Sequence, residues 1–170
     1  MSRDHTFLFA DLAGFTTLTE AHGDDYAADL AGRFCAALNQ RLPDGAEDFK
    51  MLGDACLVRV YDARAAVGLA VGLTHDLGGY DFPAVRIGMH TGHAVQRGRD
   101  WFGTTVNTAS RVADLAAADE ALLTEATRLA AGEPPGIVFD DLGVRALRNL
   151  AAPQRLYRAA RLPDHGGEAP

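Results

Sequence analysis

Two β-patterned runs, residues 49–52 and 55–60, are separated only by Gly53-Asp54. A two-residue connection of this composition closes an antiparallel hairpin, so any sheet this chain builds must contain antiparallel neighbours. Around the hairpin, apolar runs alternate with helical patterns. Residues 6–10 form a short apolar run that ends on Asp11 and reads as a buried strand. Gly14 follows, and Phe15-Thr16-Thr17-Leu18-Thr19-Glu20 opens a helix. A second helix, capped by Asp24 or Asp25, carries Ala27, Leu30, Ala31, Phe34, Leu38 and Leu42 at three- and four-residue steps. Residues 64–77 are helical in pattern up to Gly78-Gly79.

Residues 84–95 read as one long strand in which Gly88 and Gly92 mark bends or close backbone approach. A polar turn at 96–100 leads through Trp101-Phe102-Gly103 into a helix over 104–118. A short strand at 121–123 precedes a helix capped by Thr124, and three short β-like runs follow Pro134-Pro135-Gly136 up to about residue 160. Alternating strands and helices together with hairpins predict an α+β sandwich: a mixed sheet with helices on one main face.

The 170 residues suit one domain, expected over 1–162, with a polar, disordered tail over 163–170. The balance of 16 basic and 23 acidic side chains gives a net charge of −7. Such a surface repels phosphate backbones and anionic lipid, so neither a nucleic-acid nor a membrane partner is expected. No apolar stretch approaches the roughly 18 residues of a membrane span, and no leader is visible. Cys35 and Cys56 lie among apolar neighbours and read as buried, inert thiols of a reducing, cytoplasmic compartment. There is no internal repeat, so two-fold symmetry would require a second chain.

Asp11 closes an apolar strand and Asp54 sits in the hairpin turn. A carboxylate at the end of a buried strand must be hydrated, paired or bound to a cation. Two carboxylates brought together repel, and hard divalent ions relieve that repulsion; the alternative is a helix-capping Asp11 and a turn aspartate. The helix start at Gly14 and Thr16 offers backbone N–H groups to a phosphate. Lys50 is the only lysine, every other cationic side chain being arginine; it is either a retained functional ammonium or a solvated strand lysine. Asn107 and Arg111, at i and i+4, share a helical face opposite the apolar stripe. They suit ribose and phosphate oxygens, or form a solvated polar face. Asp100 could accept from an exocyclic amine or simply serve the turn. His90 and His93 are three apart on a strand and point to opposite faces, which argues against zinc. The absence of P-loop, GxSxG and HExxH patterns removes the corresponding chemistries.

Four stretches in order, 9–16 (FADLAGFT), 50–54 (KMLGD), 86–92 (RIGMHTG) and 100–111 (DWFGTTVNTASR), resemble the catalytic domain of class III adenylate cyclases, and the similarity runs from about residue 6 to 160. The resemblance implies a ferredoxin-like mixed sheet in a two-layer α/β sandwich. It implies that Asp11, Asp54 and the Leu12 carbonyl hold two Mg²⁺ or Mn²⁺ ions, and that Phe15 and Thr16 lie at the phosphates. Lys50 and Asp100 would read adenine, Asn107 would orient the ribose, and Arg111 would stabilise charge on the α-phosphate. Guanylate-cyclising relatives carry Glu and Cys-like residues at the two base positions, and an ammonium donates to adenine N1 where guanine N1 already bears a proton.

The implied reaction is a two-metal, in-line attack of the ribose 3′-hydroxyl on the α-phosphorus of ATP, giving cyclic AMP and pyrophosphate. The resemblance also implies a head-to-tail homodimer, with the aspartates from one subunit and the base readers, Asn107 and Arg111 from the other. The approach at 43–48 is more acidic and irregular than in the family, and Arg148 matches a terminal-phosphate position only loosely. A catalytically silent nucleotide-binding or regulatory module is the alternative.

Overall fold

Alternation along one strand sorts the side chains of this protein into two environments. In the computed structural model, which describes residues 3–77 and 82–164, strand β1 (His5–Leu12) sends Leu8, Ala10 and Leu12 into the main core and Phe7 and Phe9 into a second cluster. His5 and Asp11 share the parity of Phe7 and Phe9, so they belong to the second face. β1 pairs antiparallel with β3 (Ala55–Val60) on one side and with β4 (Val85–Gly92) on the other. β2 (Ala46–Leu52) forms the predicted hairpin with β3 across Gly53-Asp54 and lies at the sheet edge.

Beyond β4 the sheet continues through β7 (Glu120–Thr124), β9 (Gln154–Arg161) and β8 (Ile137–Arg145), in the order β2-β3-β1-β4-β7-β9-β8. Only the β4–β7 pairing is parallel, which makes the sheet mixed, as expected. The succession β1, helices, β2, β3, helix, β4, with order β2-β3-β1-β4, is the ferredoxin-like core that the resemblance implies.

The main core lies between the sheet and helices α2 (Asp24–Gln40), α3 (Ala63–Asp76) and α5 (Glu125–Ala131). Leu30, Phe34 and Leu38 of α2, from the predicted stripe, are buried there. Helix α1 (Phe15–His22) buries no residue fully, although Phe15 and Leu18 pack against this core. Helix α4 (Thr104–Leu115) packs alone on the opposite face, where Val106 and Ala109 join Phe7 and Leu57. Gly88 makes that packing possible: a Cβ there would sit 2.0 Å from the Ala113 backbone nitrogen. The close backbone approach predicted at Gly88 is therefore real, whereas at Gly92 the strand ends and a Cβ would meet the Thr105 side chain.

Several local expectations change. Gly23, not Asp24 or Asp25, caps α2, and the two aspartates occupy its first turn. The long strand splits: after Gly92 the chain leaves the sheet, and β5 (Val95–Arg97) pairs with β6 (Asp100–Phe102) as a separate ribbon. Helix α4 stops at Leu115, with Ala116 already extended. Two strands, β8 and β9, replace the three final runs. Thr124 stands at the N-cap of α5, but its hydroxyl pairs with His90 Nδ1 at 2.6 Å rather than capping. Cys35 and Cys56 are not separate thiols. They form a disulfide tying α2 to β3, because facing elements of one core layer bring their Cα atoms to 6.4 Å. Gly78-Gly79 and the end of the tail, 165–170, lie outside the described residues.

Candidate active site

The carboxylate pair is assembled by strand register. Asp11 stands opposite Ala55, and Asp54 precedes Ala55 in the hairpin turn, near enough for its charge to act on the Asp11 carboxyl. Across the other edge of β1, Asp11 stands opposite Arg86, which grips it with two hydrogen bonds, Nε to Oδ1 and Nη2 to Oδ2, both 3.0 Å. Burial raises the Asp11 carboxyl above its ordinary range; the Arg86 fork pulls the other way, and the charges of Asp54 and Asp114 add to the rise. A carboxylate in this setting gains from a nearby cation. Leu12 follows at the end of β1 with its side chain buried, leaving its backbone beside Asp11.

Helix α1 begins immediately beyond, with Gly14 at φ 72° as N-cap and no side-chain cap. The first-turn N–H groups of Phe15 and Thr16 therefore have no partner within the helix. The Phe15 ring packs against the main core, so its contribution to an anion would be its backbone and not its side chain.

Among the described residues, no cluster of three or more His, Cys, Asp or Glu side chains forms a ready-made metal cage. Two carboxylates beside a strand-end carbonyl are hard oxygen donors, a chemistry that fits Mg²⁺ or Mn²⁺ better than zinc.

Two residues farther back along the same face of β1, Phe9 and Phe7 line a cavity of about 270 Å³. Lys50 of β2 and Asp100 of β6 meet at its wall as an ion pair, although they come from different hairpins. Trp101, Phe102, Leu57 and Val106 supply apolar and aromatic surface, and Arg59 and Arg99 add charge. An apolar and aromatic lining with a few charged groups among it suits a heteroaromatic base.

A separate cavity of about 170 Å³ gathers Asn107, Ser110 and Arg111 of α4 with Arg148 and Asn149 from the turn between β8 and β9. Arg111 bonds Asp114 one turn on, Nη1 to Oδ2 at 3.1 Å. The two polar residues of the predicted helical face thus share a concave surface with the loosely matched Arg148. Neither lines the cavity that holds Lys50 and Asp100.

Two residues of these regions had no assigned role in the sequence. Arg86 lies within a quoted motif, but nothing marks it as the partner of Asp11 until the register is known. Arg59 interrupts the apolar run of β3 and is only 5% exposed. A cation inside an alternating apolar strand was the available signal. His90, which burial pushes down to about 4, pairs through Nδ1 with the Thr124 hydroxyl.

Comparison with known proteins gives a consistent result. The profile of the adenylate and guanylate cyclase catalytic domain matches residues 2–149. The chain is 33% identical over 164 residues to the pH-sensitive adenylate cyclase MT1302 of Mycobacterium tuberculosis, a match covering 94% of this chain and 41% of that protein. It is 37% identical over 117 residues to an adenylate cyclase of Streptomyces griseus, covering 68% of this chain and 29% of the relative. The chain thus spans less than half the length of these curated relatives. The crystal structure of the adenylyl cyclase CyaB from P. aeruginosa superposes with a TM-score of 0.80 at 23% identity, covering 94% of each chain. A guanylate cyclase domain from Catenaria anguillulae, solved with GTP, superposes at 0.78 and 20%, covering 95% of this chain and 98% of that one. The fold is common to cyclases named for either base, and the chain described here belongs to the adenylate and guanylate cyclase catalytic domain family.

Proposed function

We propose that this chain is an adenylate cyclase catalytic unit, spanning residues 1–162, that converts ATP to 3′,5′-cyclic AMP and pyrophosphate. The observation that carries the choice of ATP is the Lys50–Asp100 pair at the wall of an aromatic cavity. Together they offer a donor for adenine N1 and an acceptor for its exocyclic amine. Guanine would leave those groups mismatched, at roughly 1–3 kcal/mol for each unpaired polar group.

Asp11, Asp54 and the Leu12 carbonyl would hold two Mg²⁺ or Mn²⁺ ions. Bound there, the ions would supply acidification of the ribose 3′-hydroxyl and neutralisation of triphosphate charge. Arg86 would then be released from Asp11 and free to meet phosphate oxygens. The N–H groups of Phe15 and Thr16 would receive phosphate at the start of α1. Asn107 would orient the ribose, and Arg111 would stabilise the charge that grows on the α-phosphate, an effect expected mainly on turnover. Arg148, beside Arg111, would extend the cationic wall towards the terminal phosphate.

On this reading the aspartates of one subunit and the Asn107–Arg111 cavity of the other would complete each site, giving a homodimer whose two sites are each shared. Exposed Met51, Leu52, Val95 and Phe102 on the two ribbons beside the base cavity offer apolar surface for the second copy. The supply of ATP favours a cytoplasmic setting, in which a reducing poise would oppose the Cys35–Cys56 bond. No described helix is long and apolar enough to cross a membrane.

The test is to incubate the purified chain with ATP and Mn²⁺ over a range of protein concentrations and quantify cyclic AMP. Product should form, and activity per molecule should rise with concentration as dimers populate. Lys50→Glu should cut ATP use and admit GTP. No product at any metal or protein concentration would leave the silent nucleotide-binding module as the better reading.

A further inference from the structure

The two base readers sit on elements that the main sheet holds poorly. Lys50 lies on the edge strand β2, whose register with β3 is irregular between Ala46 and Asp48. Asp100 lies on the β5–β6 ribbon, which is hydrogen-bonded to no other strand among the described residues. Their mutual ion pair is about half exposed on both sides, too wet to fix either hairpin. Some buried contact must set the distance between them.

Arg59 makes that contact. Its guanidinium is held over the Trp101 ring at 4.4 Å and the Tyr61 ring at 4.9 Å. Nη2 donates to Glu47 Oε2 at 3.2 Å, and Nη1 lies 3.0 Å from His5 Nδ1. Trp101 follows Asp100 directly, and Glu47 precedes Lys50 by three residues on the same strand. His5, on β1, also stacks against Trp101, with ring centroids 4.6 Å apart. One planar, five-donor group therefore joins β1, β2, β3 and β6 at the back of the base cavity, of which it is itself a lining residue. Lysine could supply the charge at this place but neither the plane for stacking nor the fork for two partners.

We propose that Arg59 is a positioning residue for base selection: it clamps the strand carrying Lys50 to the ribbon carrying Asp100 and so sets the spacing at which an adenine edge is read. The proposal rests on the nucleotide-cyclising reading above. Hydrogen-bond discrimination between bases depends on donor and acceptor placement at the ångström scale. Loosening the clamp should therefore weaken ATP binding and blur the choice between ATP and GTP before it slows the chemistry.

Trp101 is the only tryptophan, so its fluorescence reports this cavity directly. Full-length wild type, Arg59→Lys and Glu47→Gln would be titrated with ATP and with GTP by Trp101 emission, with parallel cyclase kinetics and melting curves. Arg59→Lys should weaken ATP binding about tenfold and reduce the ATP-over-GTP preference by a similar factor, with most of the kinetic loss in KM. Glu47→Gln, which keeps an amide for one contact, should shift both in the same direction by about threefold. Should Arg59→Lys fail to fold, Glu47→Gln carries the test alone. A folded variant with a lower melting temperature but unchanged ATP affinity and unchanged preference would reduce Arg59 to a core brace and overturn the proposal. A wild type that responds to neither nucleotide overturns the cyclase reading and the clamp with it; a wild type that discriminates, beside variants that discriminate equally well, overturns the clamp alone.

Discussion

The two ends of one sheet face manage charge in opposite ways. At the Asp11 end, like charges are gathered and only partly compensated, by a two-point ion pair with the partly exposed Arg86. At the Arg59 end, a cation is buried between aromatic rings and tied to three strands. The first arrangement can exchange its partner for a metal ion at little structural cost, because the repulsion between Asp11 and Asp54 remains to be relieved. The second cannot release its cation without dismantling a wall. If the proposed reaction holds, the end that would accept ions and expel pyrophosphate is the exchangeable one, and the end that would measure a ring is the rigid one.

The largest expected effect tests the exchangeable end. Asp54→Ala should lower turnover by about a thousandfold or more, yet leave the melting temperature unchanged or raised, since it removes a charge that disfavours ionised Asp11. A clear loss of stability would mean that the carboxylates brace the fold. Mixing Asp54→Ala with Arg111→Ala should restore activity, because one of the two mixed sites would then contain a full residue set. Mixtures as inactive as their parents would rule out shared sites.

A smaller effect should follow from the disulfide. Cys56 lies two residues from Asp54, and its bridge to Cys35 closes a loop with a sequence separation of 21. Reduction, or Cys35→Ser, should cost about 3 kcal/mol of stability on the loop-entropy account. Trp101 emission in the folded state should not change, since Cys56 points into the main core while Leu57 and Arg59 of the same strand line the base cavity. A shifted spectrum would show that the two ends are mechanically coupled.

The smallest effect concerns acid and the sheet that both ends share. His90 is pushed down to about 4 from 6.5 by burial. Its folded form therefore binds fewer protons than the unfolded chain between these values. Stability is whole above about pH 6.5 and is lost as pH falls towards 4, by about 2 kcal/mol at pH 5. His90→Gln, which can still meet the Thr124 hydroxyl, should flatten that part of the curve in urea titrations at pH 5 and 7. An unchanged slope would assign the acid sensitivity to another group, with His5, also lowered by burial and by Arg59, the next to test.

Much of this architecture was legible before any coordinates. The Gly53-Asp54 hairpin, the apolar run ending at Asp11, the α2 stripe and the crowding at Gly88 all appear where periodicity and turn chemistry put them. The unused cap at Thr124 and the Cys35–Cys56 bridge each depend on a neighbour distant in the chain, whereas the break after Gly92 goes with the tight local pairing of 95–97 with 100–102. A hydroxyl that would cap a helix in isolation is claimed by a buried imidazole, and two cysteines on facing elements become one bond.

For the site, the sequence by itself determined the cast: two acids at strand and turn, a single lysine, and an amide and a guanidinium one helical turn apart. Those choices are local, set by periods of two and 3.6 and by the side chains' own chemistry. Only the tertiary structure decided the pairings. Strand register put Arg86 on Asp11, and the folding back of a separate ribbon brought Asp100 to Lys50. Packing across four strands made Arg59 a clamp. Register and packing are settled by what lies across the sheet, and no stretch of chain contains its own opposite strand.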